Sequence, residues 1–273
     1  MEDLDNIYAT LINSICGCHF DGFAANAAVT HVVGAAKVEG RHANVIMACY
    51  HAHQAAQRCI RVGATNTEVT EAIAAVAAEY KVEPVEGVLS HKIKKHLIDA
   101  NDTIINKECA DQRVEEFEFC PGDVIGLDVY MSSGEGKPKE SPVRTTVFKR
   151  ELETVYSLKM KSSRAFFSEM GKRFPTLPFS IRSFADVTGA KVGVKECTDH
   201  DLLLAYPVLQ EKAGEVVAQF KSTVAVLPRS TVVLAGNLPF DEGRFAPTDT
   251  IQTEAVKDLI TREMWKKDDK KKK

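Results

Sequence analysis

The alternation of apolar and polar positions opens with two extended runs. Ile7-Tyr8-Ala9-Thr10-Leu11-Ile12 leads towards Gly17, and Phe23 to Val33 follows an Asp21-Gly22 turn signal, so two strands joined by a tight turn are expected. The period then lengthens to three and four. Ile46, Cys49, His53, Ala56 and Ile60 fall on one helical face, and Val62-Gly63 marks the stop. Thr65-Asn66-Thr67-Glu68 has the spacing of a capping box, in which hydroxyl and carboxylate each satisfy an orphan amide. It opens a second helix with Val69, Ile73, Val76 and Tyr80 on its apolar face. The alanines at 72–78 suit close packing on a sheet.

Further along, 123–131 and 143–150 are β-rich runs joined by a Gly/Pro/Lys loop at 132–142. Residues 155 to about 206 break that pattern and read as an insertion, with Phe166, Phe167, Met170 and Phe174 at helical spacing before Pro175 and Pro178. Residues 215–227 and 231–235 read as closing strands, followed by an exposed tail after Trp265.

A chain of 273 residues has ample length for a core in one large or two small domains. Its net charge of −3 conceals an asymmetry: residues 264–273 hold six lysines and two aspartates, so the remaining residues sum to −7. An acidic body with a basic end suits a polyelectrolyte partner, or a plain solvated, flexible tail. Seven cysteines (16, 18, 49, 59, 109, 120, 197) include no CxxC pair, which favours reduced and mostly buried thiols, with Cys16 and Cys18 packing on one strand face. No apolar run approaches a membrane span and no signal-peptide core follows Met1. A cytosolic or nuclear protein is expected.

Four phrases carry a resemblance: HFDGFAANAAVT at 19–30, GVLSHKIKKH at 87–96, GDVIGLDVYMSSGEGK at 122–137 and AQFKSTV at 218–224. They resemble the methionine aminopeptidase family, whose fold is called pita-bread. RTTVFKR at 144–150 and SLKMKSSRAFFSEMGKRFPTLPFSIRSF at 157–184 are similar to a non-peptidase branch, the proliferation-associated proteins that bind ErbB receptors. The likeness runs from about residue 7 to about residue 260. It implies an α+β pita-bread domain over 1–263 with a helical insertion at about 153–210, then a lysine-rich flexible tail at 264–273. It also implies an N-terminal module that this sequence lacks.

In catalytic relatives, two aspartates, a histidine and two glutamates hold two divalent ions that share a water nucleophile. The resemblance places those positions at Ile15, Asn26, His91, Asp128 and Lys221. Ile15 offers no donor, Asn26 no charge, and Lys221 an ammonium where cations would sit. At ~4 Å and an effective dielectric of ~20, each such repulsion costs about 4 kcal/mol. No catalytic residue, metal or other cofactor is therefore assigned. Asp128 and Lys221 are expected to pair, His91 to be a hydrogen-bonded core histidine, and His53 to serve packing. A single zinc on His91, Asp128 and either His19 or Asn26 is one alternative, and a residual metallo-aminopeptidase that still takes two ions is another.

What remains is binding. Lys266, Lys267, Lys270, Lys271, Lys272 and Lys273 can displace counterions from phosphates, and Lys159, Lys161 and Arg164 lie in the insertion. Aromatic residues are sparse among them, which favours backbone contact with structured RNA over base readout. The resemblance implies structured RNA and the large ribosomal subunit as partners, protein partners in addition, and residence in cytoplasm, nucleus and nucleolus; the lack of a long apolar run leads us to expect no membrane partner. Val256-Lys257-Asp258-Leu259-Ile260 departs from the LxxLL form of receptor-binding members. The expected function is a non-catalytic RNA- and ribosome-associated protein of translation, ribosome biogenesis or growth regulation. The alternatives are the residual peptidase and a protein-binding adaptor without RNA.

Overall fold

A computed structural model describes residues 10–266. The chain runs β1 (Thr10–Phe20), β2 (Phe23–Val33), β3 (Val38–Glu39), α1 (Gly40–Cys59), α2 (Asn66–Tyr80), β4 (Glu83–Pro84), β5 (Leu89–Lys92), β6 (Thr103–Ile105) and β7 (Val124–Ser132). Then follow β8 (Lys139–Glu140), β9 (Val147–Arg150), α3 (Lys161–Arg173), β10 (Phe179–Ser180), α4 (Val187–Asp199), β11 (Leu203–Tyr206) and β12 (Leu209–Gln210). Last come β13 (Val217–Leu227), β14 (Ser230–Ala235), β15 (Phe245–Ala246) and α5 (Glu254–Thr261). Among the described residues, 10–138 with 211–266 form one compact unit and 139–210 a second.

The first unit is built on an eight-stranded sheet in the order β1-β2-β13-β7-β5-β6, with β14 on β13 and β4 on β7. The β1–β2 hairpin closes at Phe20↔Phe23, with Asp21 at φ 50° and Gly22 at φ 83°. An Asp-Gly pair meets that demand for two positive φ values at least cost. The His96 ring fills the space a Cβ on Gly22 would need, so the turn also depends on glycine for closeness.

Helix α1 lies on the sheet. Ala48, Ala52, Ala55 and Ala56 are wholly buried, and Cys49 Sγ donates to the carbonyls of Val129 (3.2 Å) and Ala218 (3.3 Å) on β7 and β13. Small side chains bring the helix backbone near the strands, and Ile125, Leu127, Val129 and Met131 fill the interface from below. Ile60, on the expected helical face, is instead the residue that caps α1, and it is fully buried. The capping box of α2 forms as Thr65 and Glu68 predict, and Val69, Ile73, Val76 and Tyr80 are buried.

The hairpin reaches beyond this helical layer. β1 is a sheet edge with Ile15 60% and Phe20 86% exposed, and no charged residue occurs between 10 and 20. Cys16 and Cys18 are exposed as well, which corrects the expectation that they pack. A long uncharged edge is a template for pairing with other chains. Ile15→Lys is expected to suppress concentration-dependent self-association in sedimentation velocity while leaving Tm unchanged.

The second unit has its own core. Phe148, Phe166, Met170, Phe179, Phe184, Val194, Cys197 and Leu202 are buried together between α3, α4 and the three-stranded sheet β10-β9-β11. A Cβ on Gly193 would lie 2.6 Å from Phe166, so glycine sets the approach of α4 to α3. The unit begins at 139, earlier than 153, because β8 pairs with β12 and β9 with β10 and β11. Val147–Arg150 thus belong to this sheet and not to the one holding β7, and 143–146 form no strand.

Candidate functional site

Register builds the site. Successive residues of β13 point to opposite faces. Phe220 and Ser222 face α1, where Ser222 Oγ is 2.8 Å from His53 Nε2. Gln219, Lys221 and Thr223 therefore face the other way, and three rows of side chains cross that face. The middle row is Ile15, Ala28, Lys221 and Asp128. On one side lie Asn13, Thr30, Gln219 and Tyr130. On the other lie Gly17, Asn26, Thr223, Gly126 and His91. All five positions named by the resemblance thus stand on one face, in two adjacent rows.

Contact is confined to one pair. Lys221 Nζ donates to Asp128 Oδ2 at 2.6 Å, and Gln219 Nε2 donates to Asp128 Oδ1 at 2.9 Å. Both carboxylate oxygens are used. Asp128 is only 8% exposed, and its backbone amide donates to Ser90 Oγ at 2.8 Å. Asn26 turns its side-chain oxygen over Gly17, where a Cβ would lie 2.5 Å away. Its backbone amide donates to Thr223 Oγ1 at 2.8 Å. His91 Nδ1 is 3.2 Å from Ala100 O, and Ile15 lies exposed at the sheet's rim.

These residues do not fit a pair of divalent ions. Two ligand types remain, and the ammonium of Lys221 already occupies the anionic oxygen of one. Among the described residues, no three His, Cys, Asp or Glu side chains gather in a way that would hold an ion. His19 adds nothing: its Nδ1 accepts from Gly22 N at 3.4 Å within the turn.

The hydrogen-bonded surround of the pair was not read from the sequence. Gln219, Thr30, Thr223 and Ser90 are common polar residues without motif spacing, and only register brings them together. Burial pushes the Tyr130 phenol, in the row of Gln219, and the Cys49 thiol, on the α1 side of the sheet, up, so both stay neutral. Burial, helped by the Arg58 charge, pushes His53 down to about 3.

The residues assigned to phosphate contact divide. Lys159, Lys161 and Arg164 are exposed around the start of α3, and Lys161, Arg164 and Lys172 share its outer face by spacing. Arg164 Nη1 also donates to the carbonyls of Leu158 (3.0 Å) and Lys159 (2.7 Å), which anchors the approach to the helix. Lys266 is exposed in the first unit, bridged to Ser230. Lys267 and Lys270 to Lys273 lie outside the described residues. Residues 139–210 contain twelve Lys or Arg against eight Asp or Glu, a net +4 in a chain of −3.

The sequence model of metallopeptidase family M24 matches residues 6–145. The chain belongs to this family. ERBB-3 binding protein 1 of Solanum tuberosum is 44% identical over 216 residues, 79% of this chain and 56% of that protein. Proliferation-associated protein A of Dictyostelium discoideum is 40% identical over 250 residues, covering 89% and 64%. The curved DNA-binding protein of Schizosaccharomyces pombe is 38% identical over 235 residues, covering 85% and 61%. A solved structure of a thermophilic Arx1 superposes with a TM-score of 0.84 at 25% identity, covering 94% of this chain and 74% of that one. The chain spans less than two thirds of the length of these curated relatives. The fold is the pita-bread fold of M24, and the relatives place the chain with the Ebp1-type and proliferation-associated members.

Proposed function

We propose that this chain is a non-catalytic M24 protein that associates with structured RNA and the large ribosomal subunit, in translation, ribosome assembly or growth regulation. On this reading it works in the cytoplasm, nucleus and nucleolus. The non-catalytic part rests on one observation: Lys221 holds Asp128 at 2.6 Å where the family's peptidases need a second carboxylate and two cations. Ile15 and Asn26 stand at the other lost ligand positions and offer no charge in its place. The RNA part is supported by the net +4 of residues 139–210, by the exposed cations on α3, and by a relative named for binding curved DNA. Such charges displace counterions from phosphates without reading sequence.

Co-sedimentation with purified large ribosomal subunits at low and moderate salt tests the binding. The full chain is expected to pellet with subunits in a salt-sensitive manner, and Lys159→Glu with Lys161→Glu to weaken this and flatten the salt slope. Binding that ignores both salt and these substitutions would favour an adaptor that grips protein. Calorimetric titration with cobalt and manganese tests the other half. No stoichiometric uptake is expected, whereas two equivalents bound at micromolar concentration would restore the peptidase reading.

A further inference from the structure

Helix α4 carries a feature that neither the metal-site residues nor the α3 cations use. Arg144, Met160, Lys191, Val192, Lys195 and Asp199 line a cleft of about 470 Å³ within the second unit. Its apolar part is Met160, 43% exposed, and Val192, 41% exposed. Its cationic part is Arg144, Lys191 and Lys195, all exposed, and among the described residues none of the three is held in an ion pair. Lys191 and Lys195 stand one helical turn apart and flank Val192.

Two acids also touch the cleft and limit what it accepts. Glu196 is 9% exposed, and its Oε1 accepts from Lys159 N at 2.7 Å, so its charge is directed at the amides that open α3. Asp199 lies exposed at the C-terminal end of α4. The three free cations therefore dominate the mouth. An apolar centre with a charged rim is the anatomy of a peptide-docking site, in which the centre supplies affinity and the rim supplies orientation and association rate. The volume falls within the usual range of about 300–1,000 Å³ for ligand pockets.

We propose that this cleft docks an acidic peptide segment of a partner protein, seating one large aliphatic or aromatic side chain on Met160 and Val192 between the three cations. RNA is the weaker match. Single-stranded bases bind by stacking on aromatic rings, and no ring lines this cleft. A purely electrostatic phosphate contact would leave two large apolar side chains facing water with no role in the complex.

Fluorescence anisotropy with the full chain decides the matter. The probe is a fluorescein-labelled peptide, Asp-Glu-Asp-Leu-Phe-Asp-Glu-Glu, at near-physiological salt. Its Leu-Phe pair is exchanged for Ala-Ala in a second peptide, and a twelve-nucleotide single-stranded RNA serves as the third ligand. The first peptide is expected to bind, and the Ala-Ala peptide to bind about tenfold or more weakly, as lost burial of one large side chain implies. Val192→Asp should weaken the first peptide by a similar factor, and Lys191→Glu with Lys195→Glu should do so too. Arg182→Glu, an exposed charge outside the cleft, should leave it unchanged, and thermal melts show whether each variant is folded. Equal affinity for both peptides, an Arg182→Glu effect as large as the others, or no peptide binding would overturn the proposal. So would RNA binding that Val192→Asp removes while the peptide fails to bind. Ribosome co-sedimentation that survives Val192→Asp keeps this outcome separate from the RNA reading.

Discussion

Lys221→Ala is expected to lower the free energy of unfolding by about 2–4 kcal/mol, and Asp128→Asn in the same chain to restore most of that loss. The physical asymmetry is between making a buried pair and breaking one. Two opposed charges taken out of water roughly offset their desolvation, so the intact pair is worth little against an apolar replacement. Removing the ammonium alone leaves the Asp128 carboxylate, 8% exposed in the intact chain, with Gln219 as its remaining side-chain donor. In the double variant, the amide that replaces this carboxylate has no charge to solvate and can still meet Gln219. Urea denaturation of the four proteins of the cycle gives the coupling, expected at about 1–3 kcal/mol for groups in direct contact. A Lys221→Ala cost below about 0.5 kcal/mol would mean that water screens the pair as it screens surface ion pairs.

That pair also measures what a linear pattern can convey. Lys221 and Asp128 are 93 positions apart, and only their motif contexts point to a shared face. The hairpin, α1, α2 and their buried faces are legible because each rests on local chemistry: an Asp-Gly turn, a capping box, a three-and-four period. Ile60 falls one step beyond its helix because apolar spacing continues past the point where the backbone turns. The start of the second unit is hidden for a different reason. Val147–Arg150 looks like any strand, and nothing in it says which of two sheets it joins; Phe179, Ser180 and Leu203–Tyr206 decide that through pairing. The same limit hides Gln219 and Thr223, whose roles come from register. Cys16 and Cys18 show the converse error, since alternation is legible but the helical layer that would bury them ends short of the hairpin.

His53 is expected to make the fold acid-sensitive well above the range of ordinary carboxylates. It is 2% exposed, its Nε2 meets Ser222 Oγ, and burial holds it at about 3 against an ordinary value of 6.5. In the unfolded chain the ring takes up a proton as pH falls below about 6.5. In the folded chain it does not until about 3. Between those limits the unfolded state binds more protons, so stability is fully present above pH 6.5 and falls as pH is lowered towards 3. At about 1.4 kcal/mol per pH unit, the loss by about pH 4.5 is on the order of 2–3 kcal/mol. Urea midpoints for the wild type and His53→Gln at about pH 7, 5.5 and 4.5 isolate this contribution, because carboxylates titrate in both proteins. Glutamine cannot charge, so its profile should be flatter by that amount. Parallel profiles would mean that the buried ring accepts its proton in place, with water reaching between α1 and Ser222, and the seal between helix and sheet would then be looser than the packing implies.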